Sequence, residues 1–228
     1  GRTLIKQRSG RALFCRRRPG NLPQPVFLQE VVCPDVICRG NSWVYNRGMK
    51  QDIDRTLYTR EQIDRRVTEL GAEIAETYKG VSADLVIVPV LTGSIIFVAD
   101  LIRHLPFKMR IGLMTVSRYR GATTSGGETQ ILRDLTVDIK DRHVLVVDDI
   151  LDTGNTLRTV SEQLQARNPA SLRLCTLLRK PSKAPKDLVA DFVGFDIDDV
   201  FVVGYGLDFN DHYRNWPDLS VLRPELYE

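Results

Sequence analysis

The 228-residue sequence lacks features that would define several other classes of protein. No apolar run approaches the roughly 20 residues that a membrane-spanning helix needs, so no membrane role is indicated. The pattern G-x-x-x-x-G-K-[ST] of Walker-type ATP-binding proteins does not occur. No internal repeat is visible, which argues against a solenoid or propeller. The length therefore predicts one domain of ordinary size with a substantial core.

Cysteines and acidic residues are scarce in opposite parts of the chain. Of four cysteines only Cys175 lies beyond residue 48, so we expect no disulfide framework and a reducing, cytoplasmic environment. Residues 1–48 hold nine of the 32 Lys and Arg but only two of the 29 acids, Glu30 and Asp35, which leaves 23 basic and 27 acidic residues in 49–228. A body with a net charge of −4 does not favour a nucleic-acid partner.

Segment 1–48 differs in composition from the rest of the chain. Its Arg-rich, acid-poor start resembles an organellar transit peptide, which would give an organellar location. Its weak amphipathic order and the Met at position 49 favour an upstream translated region with Met49 as the start, and a functional basic arm is a third interpretation. We expect segment 1–48 to be disordered and the folded domain to span 49–228.

From Met49 onward, helical and strand patterns alternate. Thr59 and Gln62 form a predicted capping box, followed by a helical stripe of Ile63, Val67, Leu70 and Ile74. Strands are predicted over 84–91, 109–117, 143–149 and 172–178, and further helices over 94–105 and about 155–166. Continuous apolar strands separated by helices indicate an α/β fold with a mainly parallel central sheet flanked by helices.

The stretch VVDDILDTGNTL, residues 146–157, combines acids with a hydroxyl-rich turn at the end of a predicted buried strand. Ligands of open parallel sheets gather outside the carboxyl ends of strands. Backbone N–H groups and Thr hydroxyls at a helix start suit a phosphate, and the acids suit neighbouring sugar hydroxyls or a divalent cation. A turn that only capped a helix would not need three acids. A receiver domain is also disfavoured, because its paired acids would follow the first strand, far earlier in the chain.

This stretch resembles the phosphoribosyl-pyrophosphate (PRPP) motif of the type I phosphoribosyltransferases, and the chain from about Met49 to its end is similar to their hypoxanthine-guanine branch. The resemblance implies the fold of that family, with a lid loop at about 117–135. A small hood subdomain, built largely from the C-terminal segment at about 180–228, would bind the base.

The resemblance assigns roles within the PRPP motif. Asp148 and Asp149 would hold the ribose hydroxyls directly or through Mg²⁺, and Asp152 would be the general base near N7 of a purine. The 5′-phosphate would be held by Thr153, Gly154, Asn155 and Thr156.

Two C-terminal motifs imply the base. LLRKP, residues 177–181, places Lys180 as a donor to a 6-oxo group, which selects hypoxanthine or guanine over adenine. In DVFVVGYGLDFNDHYRN, residues 199–215, Phe201 would stack on the purine and Val202 would present backbone groups to its edge. Asp208, in the purine site, would help bind a second Mg²⁺, and Arg214 would meet pyrophosphate. Taken singly, Lys180 would be a solvated lysine and Phe201 a core residue.

Two loops complete the implied site. Thr92 and Gly93 match the pyrophosphate loop, where the family often has an unusual cis peptide, although Thr92 stands where many relatives carry Lys. Ser117 and Tyr119 match the mobile lid, with Arg118 intervening where relatives have Ser directly before Tyr. On composition alone, the lid stretch is also compatible with a disordered hairpin.

The resemblance implies a Mg²⁺-dependent pentosyltransferase of purine salvage that uses PRPP and a 6-oxopurine base and gives IMP or GMP. Arg179, beside Lys180, leaves a xanthine specificity open. A non-catalytic PRPP-sensing regulator on the same fold is the alternative from another class, and the acidic body argues against it. Relatives imply a homodimer or homotetramer.

Overall fold

The computed structural model describes residues 47–81, 84–118 and 129–227. Its helices are α1 (Arg47–Asp52), α2 (Arg60–Thr77), α3 (Ile95–Leu101) and α4 (Asn155–Gln165), with 3₁₀ turns at Ile102–His104 and Pro224–Leu226. Its strands are β1 (Ile53–Tyr58), β2 (Leu85–Leu91), β3 (Arg110–Ile111), β4 (Met114–Arg118), β5 (Thr129–Arg133), β6 (His143–Leu151), β7 (Ser171–Arg179), β8 (Phe192–Asp196), β9 (Val202–Val203) and β10 (Leu219–Leu222).

The main sheet is mostly parallel and is buried on both faces, as predicted. Its order is β5-β4-β2-β6-β7-β8, with β3 also pairing with β2, and only the β4–β5 pair is antiparallel. Successive side chains of a strand point to opposite faces. Leu85 and Ile87 of β2 therefore pack in the cluster under α2 and α3, and Val86 and Val88 pack in the cluster under α4. The α/β fold class is confirmed.

A second, three-stranded antiparallel sheet, β1-β10-β9, forms the hood. Its own small core contains Ile53, Val203, Trp216 and Leu222. The hood differs from the predicted range 180–228 in two respects: it takes β1 from the start of the domain, and β8, Phe192–Asp196, pairs with β7 in the main sheet. The alternation of β1 is weak, since three consecutive residues of its six, Asp54, Arg55 and Thr56, are polar and exposed, so periodicity did not mark it as a strand.

Local signals set several element boundaries. Thr59 caps α2 in the predicted capping box, and the four predicted apolar positions of its stripe are buried. Helix α3 is shorter than predicted and tightens into the 3₁₀ turn Ile102–His104. Strand β6 runs two residues beyond its predicted end, because Ile150 and Leu151 continue the pairing with β7. The predicted strand 109–117 divides into β3 and β4.

Some predictions fall on residues that the structure does not describe. Segment 1–48 lies outside the described residues except for Arg47 and Gly48, which start α1. Tyr119 of the predicted lid also lies outside them, and the backbone of Ser117 is part of β4. The lid range 117–135 includes β5 and Leu135, which is buried in the core. In the described parts of the chain, every helix is too short or too polar to cross a membrane.

The capping box at the start of α2 gives a test of the fold. Thr59→Ala should lower the free energy of unfolding by about 1 kcal/mol, because a first-turn N–H loses its acceptor. Thr68→Ala is the matched control, since Thr68 is an exposed threonine of the same helix whose hydroxyl donates to the Asp64 carbonyl. It should change stability by less than about 0.5 kcal/mol in urea unfolding. Equal effects of the two substitutions would contradict the capping role.

Candidate active site

A cavity of about 380 Å³ opens at the carboxyl ends of β2 and β6 and is closed on its far side by hood residues. It brings together residues from five separate stretches of sequence. Eleven of the residues with predicted roles line it: Thr92, Gly93, Asp148, Asp149, Asp152, Thr156, Lys180, Phe201, Val202, Asp208 and Arg214.

The two acids of β6 lie where the sheet meets this cavity. Asp148 is buried, and its Oδ1 accepts a hydrogen bond of 3.0 Å from the Asp149 backbone N–H. Asp149 packs against Gly93, where a Cβ would lie 1.7 Å from Asp149 Oδ2. A side chain at position 93 would therefore displace this carboxylate. The Leu91–Thr92 peptide that leads into Gly93 is cis, as the resemblance implied.

The T-G-N-T turn joins β6 to α4. Gly154 is the N-cap of α4 with a left-handed φ of 75°, and a Cβ there would approach Pro185 and Leu188. No side chain in the described residues caps this helix start. The acids before the turn therefore do not serve as the helix cap. Thr156 is buried and lines the cavity, whereas Thr153, Gly154 and Asn155 are not among its lining residues.

The ammonium group of Lys180 lies between two carboxylates. Its Nζ is 3.6 Å from Asp152 Oδ2 and donates a hydrogen bond of 3.0 Å to Asp199 Oδ1. Lys180 is only 7% exposed, so it is not the solvated lysine that its residue type alone would predict. The other Asp152 oxygen, Oδ1, is buried and has no hydrogen-bond partner in the described structure. The Asp152 side chain as a whole is partly exposed and lines the cavity beside Lys180.

Aromatic side chains form the hood wall. Phe201 lines the cavity, stacks on Tyr227 with ring centroids 4.9 Å apart, and meets the edge of Phe209 at 5.6 Å. Such packing fixes the plane of the Phe201 ring. Leu207 and Phe209 also line the cavity and had no predicted role, although both lie within the quoted motif of residues 199–215.

Arg214 is held in place by its neighbours. Its Nη1 contacts Asp208 Oδ1 and the Gly206 carbonyl, each at 2.9 Å, and its Nη2 contacts Asp211 at 3.0 Å. Gly206 in turn lies close against the loop of Thr92 and Gly93, because a Cβ there would lie 2.2 Å from the Gly93 carbonyl oxygen. Arg214 and Asp208 thus reach the cavity as one ion pair.

Arg179, which left the base specificity open, does not line the cavity. It forms two hydrogen bonds to Asp196, of 2.6 and 2.8 Å. The hydrogen bonds from Arg179 lower the pKa of the Asp196 carboxyl, and the pair therefore stays ionised. The Arg179 side chain therefore links the ends of β7 and β8 through Asp196.

A second and larger cavity, of about 530 Å³, lies between α2, α3 and the hood. None of the residues with predicted roles line it. One of its walls holds the Tyr205 hydroxyl, which donates a 2.7 Å hydrogen bond to Asp100, and burial and this bond raise the tyrosine pKa. Size alone would select this cavity, but the chemistry of the predicted motifs is concentrated in the smaller one.

No group of three or more His, Cys, Asp or Glu side chains in the described residues could by itself hold a metal ion. Such a cage is not required for Mg²⁺, which commonly binds through one or two carboxylates together with substrate phosphates and water. Asp148, Asp149 and Asp208, the predicted metal ligands, line the same cavity.

The parallel sheet, the phosphate-type turn at a helix start and the acids beside it define a class of proteins that bind a phosphorylated sugar at the sheet edge. The family model described as the phosphoribosyl transferase domain matches residues 55–210, and the chain belongs to this family.

Relatives with known names indicate the branch of the family. The chain is 42% identical over 180 residues to the hypoxanthine-guanine phosphoribosyltransferase of Bacillus subtilis, a match that covers 79% of this chain and 99% of the relative. It is 45% identical over 181 residues to the enzyme of that name from Mycobacterium tuberculosis, with 78% and 90% covered. The crystal structure of a Staphylococcus aureus hypoxanthine phosphoribosyltransferase aligns with a TM-score of 0.74 and 43% identity over 83% of this chain and 100% of its own.

The contacts of Arg214 give a test of how the hood wall is held. Arg214→Met should lower the free energy of unfolding by about 1 kcal/mol or more, because Asp208 and the Gly206 carbonyl lose a charged donor. Arg223→Met is the control, since this arginine is exposed and its described hydrogen bonds are made by its backbone alone, from its N–H to the Asp52 carbonyl and to its carbonyl from the Leu226 N–H. Its effect in urea unfolding should stay below about 0.5 kcal/mol. A loss of stability in Arg214→Met no larger than that in Arg223→Met would contradict the structural role of Arg214.

Proposed function

We propose that this chain is a purine salvage enzyme that transfers the 5-phosphoribosyl group of PRPP to N9 of hypoxanthine or guanine, giving IMP or GMP and pyrophosphate. One observation carries the proposal. Asp152 and Lys180, the groups that would meet N7 and the 6-oxo group of the purine, lie 3.6 Å apart in a cavity that also holds Asp148, Asp149 and Phe201. The names of the relatives support the same reaction.

The residues of β6 and α4 suit the ribose 5-phosphate part of the substrate. The start of α4 offers backbone N–H groups and the Thr156 hydroxyl to the phosphate, with Thr153, Gly154 and Asn155 in the same turn. Asp148 and Asp149 would hold the ribose hydroxyls directly or through Mg²⁺. As pyrophosphate leaves C1′, positive charge develops on the ribose, and nearby carboxylates stabilise it.

Asp152 is the proposed general base. The purine must lose a proton when N9 bonds to C1′, and Asp152, a partly exposed carboxylate that lines the cavity, would accept it. Lys180 would donate to the 6-oxo oxygen, an acceptor that adenine replaces with a donor amino group. Phe201 would stack on the ring, and the backbone of Val202 would meet its edge.

Pyrophosphate would leave past Thr92, Gly93 and Arg214. Four carboxylates, Asp148, Asp149, Asp152 and Asp208, line the cavity, against the two cations Lys180 and Arg214 among the described residues. A cavity with this balance repels a polyanion such as PRPP. Mg²⁺ fits the site for that reason: Asp148 and Asp149 would hold one ion and Asp208 would help to hold a second, together with substrate oxygens, and the ions would neutralise the charge of pyrophosphate.

Ser117 and Tyr119 would belong to a lid that excludes water. The xanthine specificity and the regulator are not favoured, because Arg179 pairs with Asp196 outside the cavity and the relatives are named as enzymes. A cytoplasmic homodimer or homotetramer completes the proposal. The buried free thiol of Cys175 suits a reducing compartment. Analytical ultracentrifugation of the full chain would measure its oligomeric state.

The reaction is tested with the full chain, PRPP, Mg²⁺ and one base at a time. Hypoxanthine and guanine should each give the nucleotide with equimolar pyrophosphate, whereas adenine should give none above background. Addition of EDTA should abolish turnover, and excess Mg²⁺ should restore it. Failure of both 6-oxopurines would overturn the proposed function, and a clear preference for xanthine would replace its substrate.

Asp152→Asn tests the general base separately from binding. Turnover should fall by about 10²–10⁴-fold, the usual contribution of a positioned base, because an amide cannot accept the proton. The KM for PRPP should change little, since Asp148, Asp149 and the turn are intact. Asp187→Asn, which removes an exposed carboxylate paired with Arg158, is the control and should leave turnover unchanged. Wild-type turnover in Asp152→Asn would remove Asp152 from this role.

A further inference from the structure

Asp199, which has no role in the proposed function, binds two lysines at the edge of the cavity. Its Oδ1 accepts the 3.0 Å hydrogen bond from Lys180, and its Oδ2 is 2.8 Å from the Nζ of Lys183. The hydrogen bonds from Lys183 and Lys180 lower the pKa of Asp199, so the carboxylate remains charged. Asp199 itself does not line the cavity.

The two carboxylates beside Lys180 are not equivalent. The contact with Asp199 is a hydrogen bond, whereas the 3.6 Å separation from Asp152 is longer than one. A lysine ammonium group has three donors and rotates freely about its flexible chain. Without Asp199, the nearest described carboxylate for Lys180 would be Asp152, whose Oδ1 is unpartnered.

We propose that Asp199 is a positioning and specificity-determining residue: it anchors the ammonium group of Lys180 so that one donor faces the 6-oxo oxygen and Asp152 is kept from closing onto Lys180. The proposal rests on the proposed function for the identity of the base. Asp199 acts through Lys180 and does not touch the reacting atoms.

The neighbouring acid supplies a matched control. Asp198 precedes Asp199, is also exposed, and its only described hydrogen bond is that of its carbonyl with the Val200 N–H. Asp198→Asn and Asp199→Asn therefore make the same change in charge one residue apart. A general effect of lost negative charge would appear in both variants, and an effect through Lys180 only in Asp199→Asn.

Steady-state kinetics of the full chain give the first readout. Asp199→Asn should raise the KM for hypoxanthine and guanine by about tenfold, the factor expected from one charge-assisted hydrogen bond, while the KM for PRPP stays within about twofold. Asp199→Glu should recover part of the loss, and Asp198→Asn should resemble the wild type. An unchanged base KM in Asp199→Asn, or an equal rise in Asp198→Asn, would overturn the proposal.

A double-mutant cycle shows whether Asp199 acts through Lys180. In a Lys180→Met background, Asp199→Asn should change the base KM by less than about twofold, because the group it positions is gone. In a Lys183→Met background its effect should persist. A full effect of Asp199→Asn in the Lys180→Met background would assign Asp199 another role and would overturn the proposal.

A measurement without catalysis separates this proposal from the reaction itself. In ¹H–¹⁵N spectra of lysine ammonium groups, Lys180 should give a slowly exchanging signal, assigned by its loss in Lys180→Met. The signal should be lost in Asp199→Asn and kept in Asp198→Asn, with both variants as folded as the wild type by thermal unfolding. A protein that shows this pattern but makes no nucleotide would contradict the proposed function alone. A Lys180 signal that persists in Asp199→Asn would contradict the anchoring by Asp199.

Discussion

The parallel pairing of β6 with β2 and β7 is the constraint on which the site depends. Val144–Val147 are fully buried, with alternate side chains in the two core clusters, so the register of β6 is fixed from both faces. That register places Leu151 opposite Arg179, and the Leu151 carbonyl accepts a hydrogen bond from the Lys180 N–H. The next residue after each strand is Asp152 or Lys180. A shift of one residue would reverse the side chains and separate Asp152, the proposed general base, from Lys180, the proposed donor to the 6-oxo group.

The hood is fitted to this sheet edge by close backbone approaches. Gly206, with φ of 105°, leaves no room for a Cβ beside the Gly93 carbonyl, and Gly93 leaves none beside Asp149. Three chain segments from different parts of the sequence are therefore stacked without intervening side chains. On the other side of the hood, the Phe201 carbonyl accepts a hydrogen bond from the Leu222 N–H of β10. The three-stranded sheet of the hood, β1-β10-β9, thus positions Phe201 in the aromatic wall.

Sequence reasoning found the main sheet and most of the cavity for identifiable reasons. The stripe of α2 is periodic and the strands of the main sheet are continuously apolar, and the motif residues at the carboxyl ends of β2, β6 and β7 converge because parallel strands end at one edge. The other four cavity residues with predicted roles belong to the hood, and the family resemblance indicated them. Sequence reasoning missed β1, because its polar residues break the strand pattern and its partner in the sheet, β10, is distant in sequence. Sequence reasoning could not predict the direction of the Arg179 side chain, because its partner Asp196 is brought near only by the pairing of β7 with β8. It could not distinguish Asp199 from Asp198 either, because only the folded chain brings Asp199 to Lys180.

The two cations of the cavity are both engaged before any substrate enters. Arg214 is shared by Asp208 and Asp211, and Lys180 is held by Asp199 beside Asp152. A cation already hydrogen-bonded to carboxylates adds little net attraction for a further anion. Thr92 adds no charge where many relatives carry Lys. We therefore expect an anionic substrate to rely on backbone N–H groups and on the Mg²⁺ that would accompany it, while Lys180, held by Asp199, would serve the neutral base.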